Sequence, residues 1–260
     1  MGSGRLPRWL EHPLTRGLDV DDPRTTRNRR EIIGRKRLLR RVYQDWYRRL
    51  RESVPEGRGA ILELGSGAGF LRDWIPQAVC SEVFYCSWVD AVLDAGALPF
   101  ADSSLRAVVM TNVLHHVPQP FRFFDEVARC LRPGGVVTMI EPWVSRWSRL
   151  VYSRLHSEPF EPDVPGAEMT STGPLSGANN ALPWIVFARD RARFQSEVTR
   201  LRLISIRPIM PFVYLASGGV SMRSFSPGWS YPLWRLLESV VAPWNRELAM
   251  FAHIQLERVD

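Results

Sequence analysis

Glycines at every second position, Gly65, Gly67 and Gly69, follow the apolar run Ile61-Leu62-Glu63-Leu64 and precede Phe70-Leu71. The pattern reads as strand, tight turn and helix. Glycine is needed where the backbone takes positive φ, or where a ligand lies against the main chain with no Cβ in the way. Backbone N–H groups presented by such a turn at a helix N-terminus favour an anionic group. Two familiar uses of a glycine turn do not fit. A dinucleotide fingerprint needs a further glycine at position 70, where Phe70 stands, and a phosphate loop needs Gly-Lys-Ser/Thr, which is absent. Downstream, the carboxylates Glu82 and Asp94 and the pair His115-His116 each fall near the end of an apolar run. Imidazole titrates near neutral pH, so either histidine could serve as a general base, and either could equally cap the loop that follows. His156 is a further base candidate.

These residues need a scaffold, and the apolar patterning supplies one. Strand-like runs at Ala78 to Phe84, Val89 to Ala95, Leu105 to Met110 and Val136 to Ile140 follow the first strand before Gly65. Helical spacing at Leu71 to Pro76 and at Phe121 to Leu131 alternates with them, the second stopped by Arg132-Pro133-Gly134-Gly135. Such alternation predicts βαβ units and a parallel sheet. Eleven residues separate Glu82 from Asp94, fewer than a parallel crossover helix normally needs, so a loop at Tyr85 to Trp88 is expected there. Residues 1–30 read as an irregular arm with a helix start near Thr25 or Thr26. From Glu31 a basic amphipathic helix is predicted, with Leu39, Val42, Tyr43, Trp46 and Leu50 on its apolar side. Tyr43, Trp46 and Tyr47 could line a pocket. Trp143 to Leu155 suggests a lid helix, 157–183 a long loop, Asp190 to Val198 a helix, and Leu201 to Ile209 and Ala249 to Leu256 a pair of antiparallel strands. Seven aromatic residues between Phe212 and Trp244 either pack under a cap or wall a lipophilic pocket.

The string Glu63-x-Gly65-x-Gly67-x-Gly69, then Asp94-Ala95-x-x-Leu98-Pro99-Phe100, Leu114-His115-His116 and Leu131-Arg132-Pro133-Gly134-Gly135 resembles the class I S-adenosylmethionine-dependent methyltransferases, in particular the ubiquinone/menaquinone-type C-methyltransferases and their small-molecule relatives. The resemblance covers about residues 58–142. It implies an α/β fold: a Rossmann-like, seven-stranded, mostly parallel sheet with flanking helices, an antiparallel last strand and a helical or loop lid. It implies S-adenosyl-L-methionine as cofactor, S-adenosyl-L-homocysteine as product, and no metal. The main chain of Gly65, Ser66, Gly67 and Gly69 would meet the methionine part, with Glu63 near its ammonium. Glu82 would hold the ribose, Asp94 and the Ala95 N–H the adenine edge, and Asn112 would sit beside the sulfonium. The implied reaction is in-line methyl transfer to a small apolar or aromatic metabolite, at oxygen or carbon, in which alignment supplies much of the acceleration. The expected organisation is 1–57 as arm and basic cap, 58–142 as cofactor-binding core, 143–186 as lid and loop, and 187–260 as the end of the sheet with an aromatic-rich insertion at 210–246. The alternatives are a nucleic-acid or lipid-surface methyltransferase working through the basic helix, and a non-catalytic relative of the fold.

Bulk properties bound the partners. The chain has 260 residues, 45% hydrophobic and 23% charged, ordinary for a globular protein with a sizeable core. Its net charge is +7, which favours acidic partners. Residues 24–51 hold twelve arginines and lysines against two acids, so the excess is concentrated there. An anionic membrane surface is therefore a candidate partner, whereas nucleic acid is disfavoured because no Asn/Asp-Pro-Pro-Tyr/Phe motif is present. Cys80, Cys86 and Cys130 form neither an even set nor a CxxC pair, which fits a reducing, cytoplasmic setting. Neither a signal-peptide core nor a long apolar span is expected.

Overall fold

The computed structural model describes residues 9–156, 158–170, 173 and 175–260. The start of the expected arm, and residues 157, 171, 172 and 174 of the expected long loop, lie outside the described residues. Seven strands form one sheet in the order β3-β2-β1-β4-β5-β7-β6. They are β1 (Ala60–Leu64), β2 (Ala78–Glu82), β3 (Ala91–Val92), β4 (Leu105–Thr111), β5 (Leu131–Pro142), β6 (Leu201–Ile209) and β7 (Phe251–Arg258). The first five are mutually parallel, and β7 runs antiparallel to both β5 and β6. The strand order reverses between β1 and β4, and in open α/β sheets ligands bind outside the carboxyl ends of strands at such a switch point.

Both sheet faces are covered. The helix α2 (Arg37–Glu52) buries Leu38, Val42, Trp46 and Leu50 against Ile61, Ala107, Val109 and Ile140 on one face. The helix α3 (Pro120–Cys130) buries Phe123, Phe124 and Val127 against Leu62, Val108 and Val137 on the other. Trp46 is fully buried and stacks on Tyr214 at 5.5 Å between centroids, a packing whose truncation to alanine costs about 3–5 kcal/mol.

Several elements depart from the periodicity. The single basic helix expected from Glu31 is two helices, α1 (Pro23–Arg35) and α2, because Lys36 is extended at φ −84°, ψ 94°. Its side chain turns inward, and Nζ donates to the carbonyls of Gly219 and Met222 at 2.6 and 2.9 Å. The helix α1 starts two or three residues before Thr25 and Thr26, capped by the Asp22 carboxylate on the Arg24 N–H. The helix expected after the glycine turn is one 3-10 turn, Leu71–Asp73. No helix intervenes between β2 and β3, as the short spacing predicts. The strand β3 itself is only two residues, pairing Ser81 with Ala91 and Glu82 with Val92. Arg132-Pro133-Gly134-Gly135 falls inside β5 as an irregularity, with Leu105 opposite Leu131 but Ala107 opposite Val136. The remaining helices are α4 (Arg146–Leu155), α5 (Leu182–Trp184), α6 (Arg191–Glu197), α7 (Val213–Ser217), α8 (Tyr231–Val240) and α9 (Asn245–Leu248). Among the described residues no helix is long and apolar enough to cross a membrane.

Candidate active site

The glycine turn after β1 is fixed from below. The Ser66 N–H donates to the Ser81 carbonyl at 2.7 Å, the Gly69 N–H to the Ser66 carbonyl at 2.7 Å, and the Trp88 indole to the Gly67 carbonyl at 3.1 Å. Gly65 has φ +65° and its missing Cβ would stand 2.6 Å from Val113 Cγ2. Gly69 is covered by Trp88 and Arg30, whereas a Cβ on Gly67 would meet nothing nearer than the Gly65 carbonyl at 3.9 Å. The main chain at Gly67 is therefore the open part of the turn.

It opens onto a cavity of about 590 Å³ at the carboxyl ends of β1, β2 and β4, within the range of about 300–1,000 Å³ typical of small-ligand sites. One half is lined by Gly65, Ser66, Gly67, Glu82, Asp94 and Ala95. Glu82 accepts the Gly67 N–H at 3.0 Å through Oε2, and burial raises its pKa against that hydrogen bond. Such a buried carboxylate has capacity for two further hydroxyl donors, which a ribose diol supplies. Asn112, at the end of β4 with φ +57°, also lines the cavity, and its Oδ1 is buried without a hydrogen-bond partner. An orphaned acceptor beside an open glycine turn fits an adenosyl-sulfonium ligand. Asp94 is exposed, its Oδ1 engaged by the Gly96 N–H at 2.8 Å. Glu63 and Gly69 do not line the cavity. Glu63 lies beneath the turn, accepting the Ser66 hydroxyl at 2.6 Å, and burial pushes its pKa up to about 7.

The other half holds His115, His116, His156 and Glu158 under Tyr43, Tyr47, Tyr152 and Tyr214. Glu141, at the end of β5, organises it. One Glu141 oxygen accepts the Val113 and Leu114 N–H groups at 2.7 and 2.9 Å, and the other lies 2.8 Å from His115 Nδ1. His115 Nε2 points to Glu158 Oε2 at 3.7 Å. Burial alone would lower His115, but hydrogen bonds to Glu141 and Glu158 outweigh it and raise its pKa to about 9, so it is an imidazolium at neutral pH. The His115 hydrogen bond, with the neighbouring histidines and Arg29, holds Glu158 well below the carboxylate range despite its burial. His116 behaves oppositely: burial and the His115 charge push it down to about 3. Its Nδ1 faces the Leu175 carbonyl at 2.9 Å; a carbonyl only accepts, so Nδ1 carries the proton and Nε2 is free. Arg29, from α1, reaches Glu158 Oε1 at 3.4 Å and closes the roof.

His115, His116 and Glu158 each offer one donor atom, all within 4.8 Å of one another. Two bonds of about 2.1 Å to one ion require donors roughly 3–3.5 Å apart, so a cation would have to draw these three together. As they stand, His115 and Glu158 form an ion pair.

Glu158 and Arg29 went unmarked in the sequence, since one sits in an irregular loop and the other among many arginines. Of the pocket aromatics expected on the basic helix, Tyr43 and Tyr47 line the cavity, while Trp46 is core, its indole donating to Met210 Sδ at 3.0 Å. Of the seven aromatics at 212–244, only Tyr214 lines the cavity, and Phe225, Trp229 and Trp244 are exposed.

The methyltransferase domain family matches residues 62–139. An uncharacterized methyltransferase of Mycobacterium leprae (strain Br4923) is 44% identical over 101 residues, 33% of this chain and 37% of that protein. One from Mycobacterium sp. (strain JLS) is 44% identical over 109 residues, 36% and 43% of the two chains. The chain thus matches less than half the length of these relatives. Among solved structures, geranyl diphosphate C-methyltransferase from Streptomyces coelicolor A3(2), solved with Mg2+, geranyl diphosphate and S-adenosyl-L-homocysteine, aligns with TM-score 0.51 at 14% identity over 96% of this chain and 91% of that one. The putative methyltransferase solved with the Trm112 activator of Haloferax volcanii aligns with TM-score 0.52 at 13% identity over 89% and 98%. At such identities these two likenesses speak for the fold. Residues 62–139 thus match a methyltransferase domain family, and the chain as a whole has the fold of the two solved methyltransferases.

Proposed function

We propose that this protein transfers a methyl group from S-adenosylmethionine to a hydroxyl oxygen, or an acidic carbon, on a small aromatic or lipophilic metabolite. The observation that carries this reading is one continuous cavity joining Gly67, Glu82 and Asn112 to a tyrosine-walled chamber that ends on His115, His116 and Glu158. The bound sulfonium supplies the methyl group and its driving force; the chain's part is binding, alignment and charge.

The Gly67 main chain and Glu82 hold the adenosyl half. The tyrosines and the Arg29–Glu158 contact exclude water and fix the acceptor ring, and positioning of this kind is worth several kcal/mol of barrier. The His115 imidazolium favours the ionised form of an acceptor hydroxyl beside it, so no strong base is needed. His116 Nε2 and the Glu158 carboxylate, both held well below neutral, accept a hydrogen bond from that hydroxyl and orient it, and its proton leaves to solvent as the methyl group is transferred.

The test is calorimetry with S-adenosylhomocysteine, paired with mass spectrometry of a metabolite extract incubated with labelled cofactor. Gly67→Arg, whose side chain has room to enter the cavity, should lose binding while remaining folded. His115→Gln should retain binding and lose labelled product by at least ten-fold. Unchanged binding by Gly67→Arg would refute the cofactor site. No labelled product from any extract would refute the activity.

A further inference from the structure

The helix α8 is built inside out. Leu233, Leu236, Leu237 and Val240 recur at helical spacing, the stripe that a helix normally turns to the core. Here they face solvent, with Leu233 at 59%, Leu236 at 63% and Val240 at 63% exposure. The side turned inward carries Tyr231, Trp234, Arg235 and Glu238. Glu238 is buried, its Oε1 accepts the Phe212 and Val213 N–H groups at 3.0 and 2.8 Å, and its Oε2 takes Arg235 Nη1 at 2.5 Å. That carboxylate caps α7, so α8 cannot roll its leucines under without leaving a buried charge and two buried donors unpaired. Exposed indoles flank the stripe, Trp229 at 74% and Trp244 at 59%. Beside Trp229, the exposed Arg37, Arg40 and Arg41 of α2 share a recess with it.

We infer that this face, the α8 leucine stripe with its two tryptophans and the arginine cluster of α2, docks on an anionic lipid bilayer surface. An exposed apolar stripe flanked by tryptophan and bordered by arginine is the composition of an interfacial helix, with apolar residues entering the acyl boundary and cations meeting anionic headgroups. Charge complementarity selects this occupant over a second copy of the chain, which would bring another +7 and the same arginines. The contact deepens the proposed function without depending on it. The helix α2 carries both Arg37, Arg40 and Arg41 of the docked face and Tyr43 and Tyr47 of the cavity wall, so the docked face and the acceptor chamber share one element.

Cosedimentation with phosphatidylcholine vesicles, with and without phosphatidylglycerol, tests the inference. The protein should pellet with the anionic vesicles at about 0.05 M salt and be largely released at about 0.5 M, where surface charge is screened. Arg37→Glu with Arg40→Glu should weaken binding at low salt by at least ten-fold. Leu236→Ser with Val240→Ser should weaken it about a hundred-fold at either salt. These four residues are exposed, so unchanged S-adenosylhomocysteine binding serves as the control for folding, and its failure in wild type would count against the proposed function alone. Wild-type protein that stays in the supernatant with anionic vesicles would overturn the inference. So would a concentration-dependent dimer in light scattering that the leucine variants convert to monomer, since a second copy would then be the occupant.

Discussion

Glu63→Gln isolates the energetics of the floor beneath the glycine turn. Glu63 is 3% exposed, accepts the Ser66 hydroxyl, and has its pKa raised to about 7 by burial, with the nearby Glu82 charge adding to the rise. An acid that ionises near 7 when folded and near 4.5 when unfolded binds more protons in the folded state between those values. Its stabilising effect is complete below pH 4.5 and is lost as pH rises through 7. At about 1.36 kcal/mol per pKa unit the full loss is about 3 kcal/mol, most of which falls between pH 5 and 8. Glutamine keeps an acceptor for Ser66 and cannot ionise. Urea denaturation of both proteins across pH 5 to 8 gives the difference in unfolding free energy, in which every other titrating group cancels to first order. That difference should move in favour of Glu63→Gln by about 2–3 kcal/mol across the window. A difference that stays flat with pH would mean that Glu63 is ionised throughout, and the burial argument would fail.

Two further perturbations probe neighbouring features. Gly65→Ala combines φ +65° with a Cβ placed 2.6 Å from Val113 Cγ2, so it should destabilise by about 1–3 kcal/mol. Adding Val113→Ala should recover only the steric share, and a double-mutant cycle showing no coupling would refute the contact. Lys36→Met removes both donors to the Gly219 and Met222 carbonyls, which should cost about 1–3 kcal/mol. Hydrogen exchange at 218–223 should then accelerate relative to the sheet; unchanged protection there would show that Lys36 does not hold the segment.

The sheet was legible because β1, β4 and the second half of β5 are largely apolar runs closed by turn signals, and β6 and β7 intersperse apolar with polar residues. The parallel core, the short β2–β3 connection, the span of β6 and the antiparallel final pair all follow from that local pattern. The polar end of the site is another matter. Arg29 and Glu158 meet across 129 residues of sequence, and nothing in either neighbourhood marks the encounter. Glu141 is in sequence only the residue after the run Val136 to Ile140, although its carboxylate aligns three groups at once. The helix α8 shows a different limit. Its periodicity gives an amphipathic stripe, but which side faces the core is decided by Glu238 reaching the Phe212 and Val213 N–H groups, an interaction between elements that periodicity does not encode.

The roof over the cavity is tied by contacts between distant parts of the chain. The His12 N–H donates to the Ser221 carbonyl at 2.8 Å and the Arg223 N–H to the Leu10 carbonyl at 2.9 Å, while Arg30 clasps the Gly69 carbonyl at 2.6 Å and lies over the Phe70 and Trp88 rings. Segments joined only across some two hundred residues close late in folding, because the loop entropy is spent before the contact repays it. They are also among the first to part when a domain opens locally. The seam between residues 10–12 and 221–223 is therefore expected to part before the sheet does, which makes it the side on which the cavity opens first.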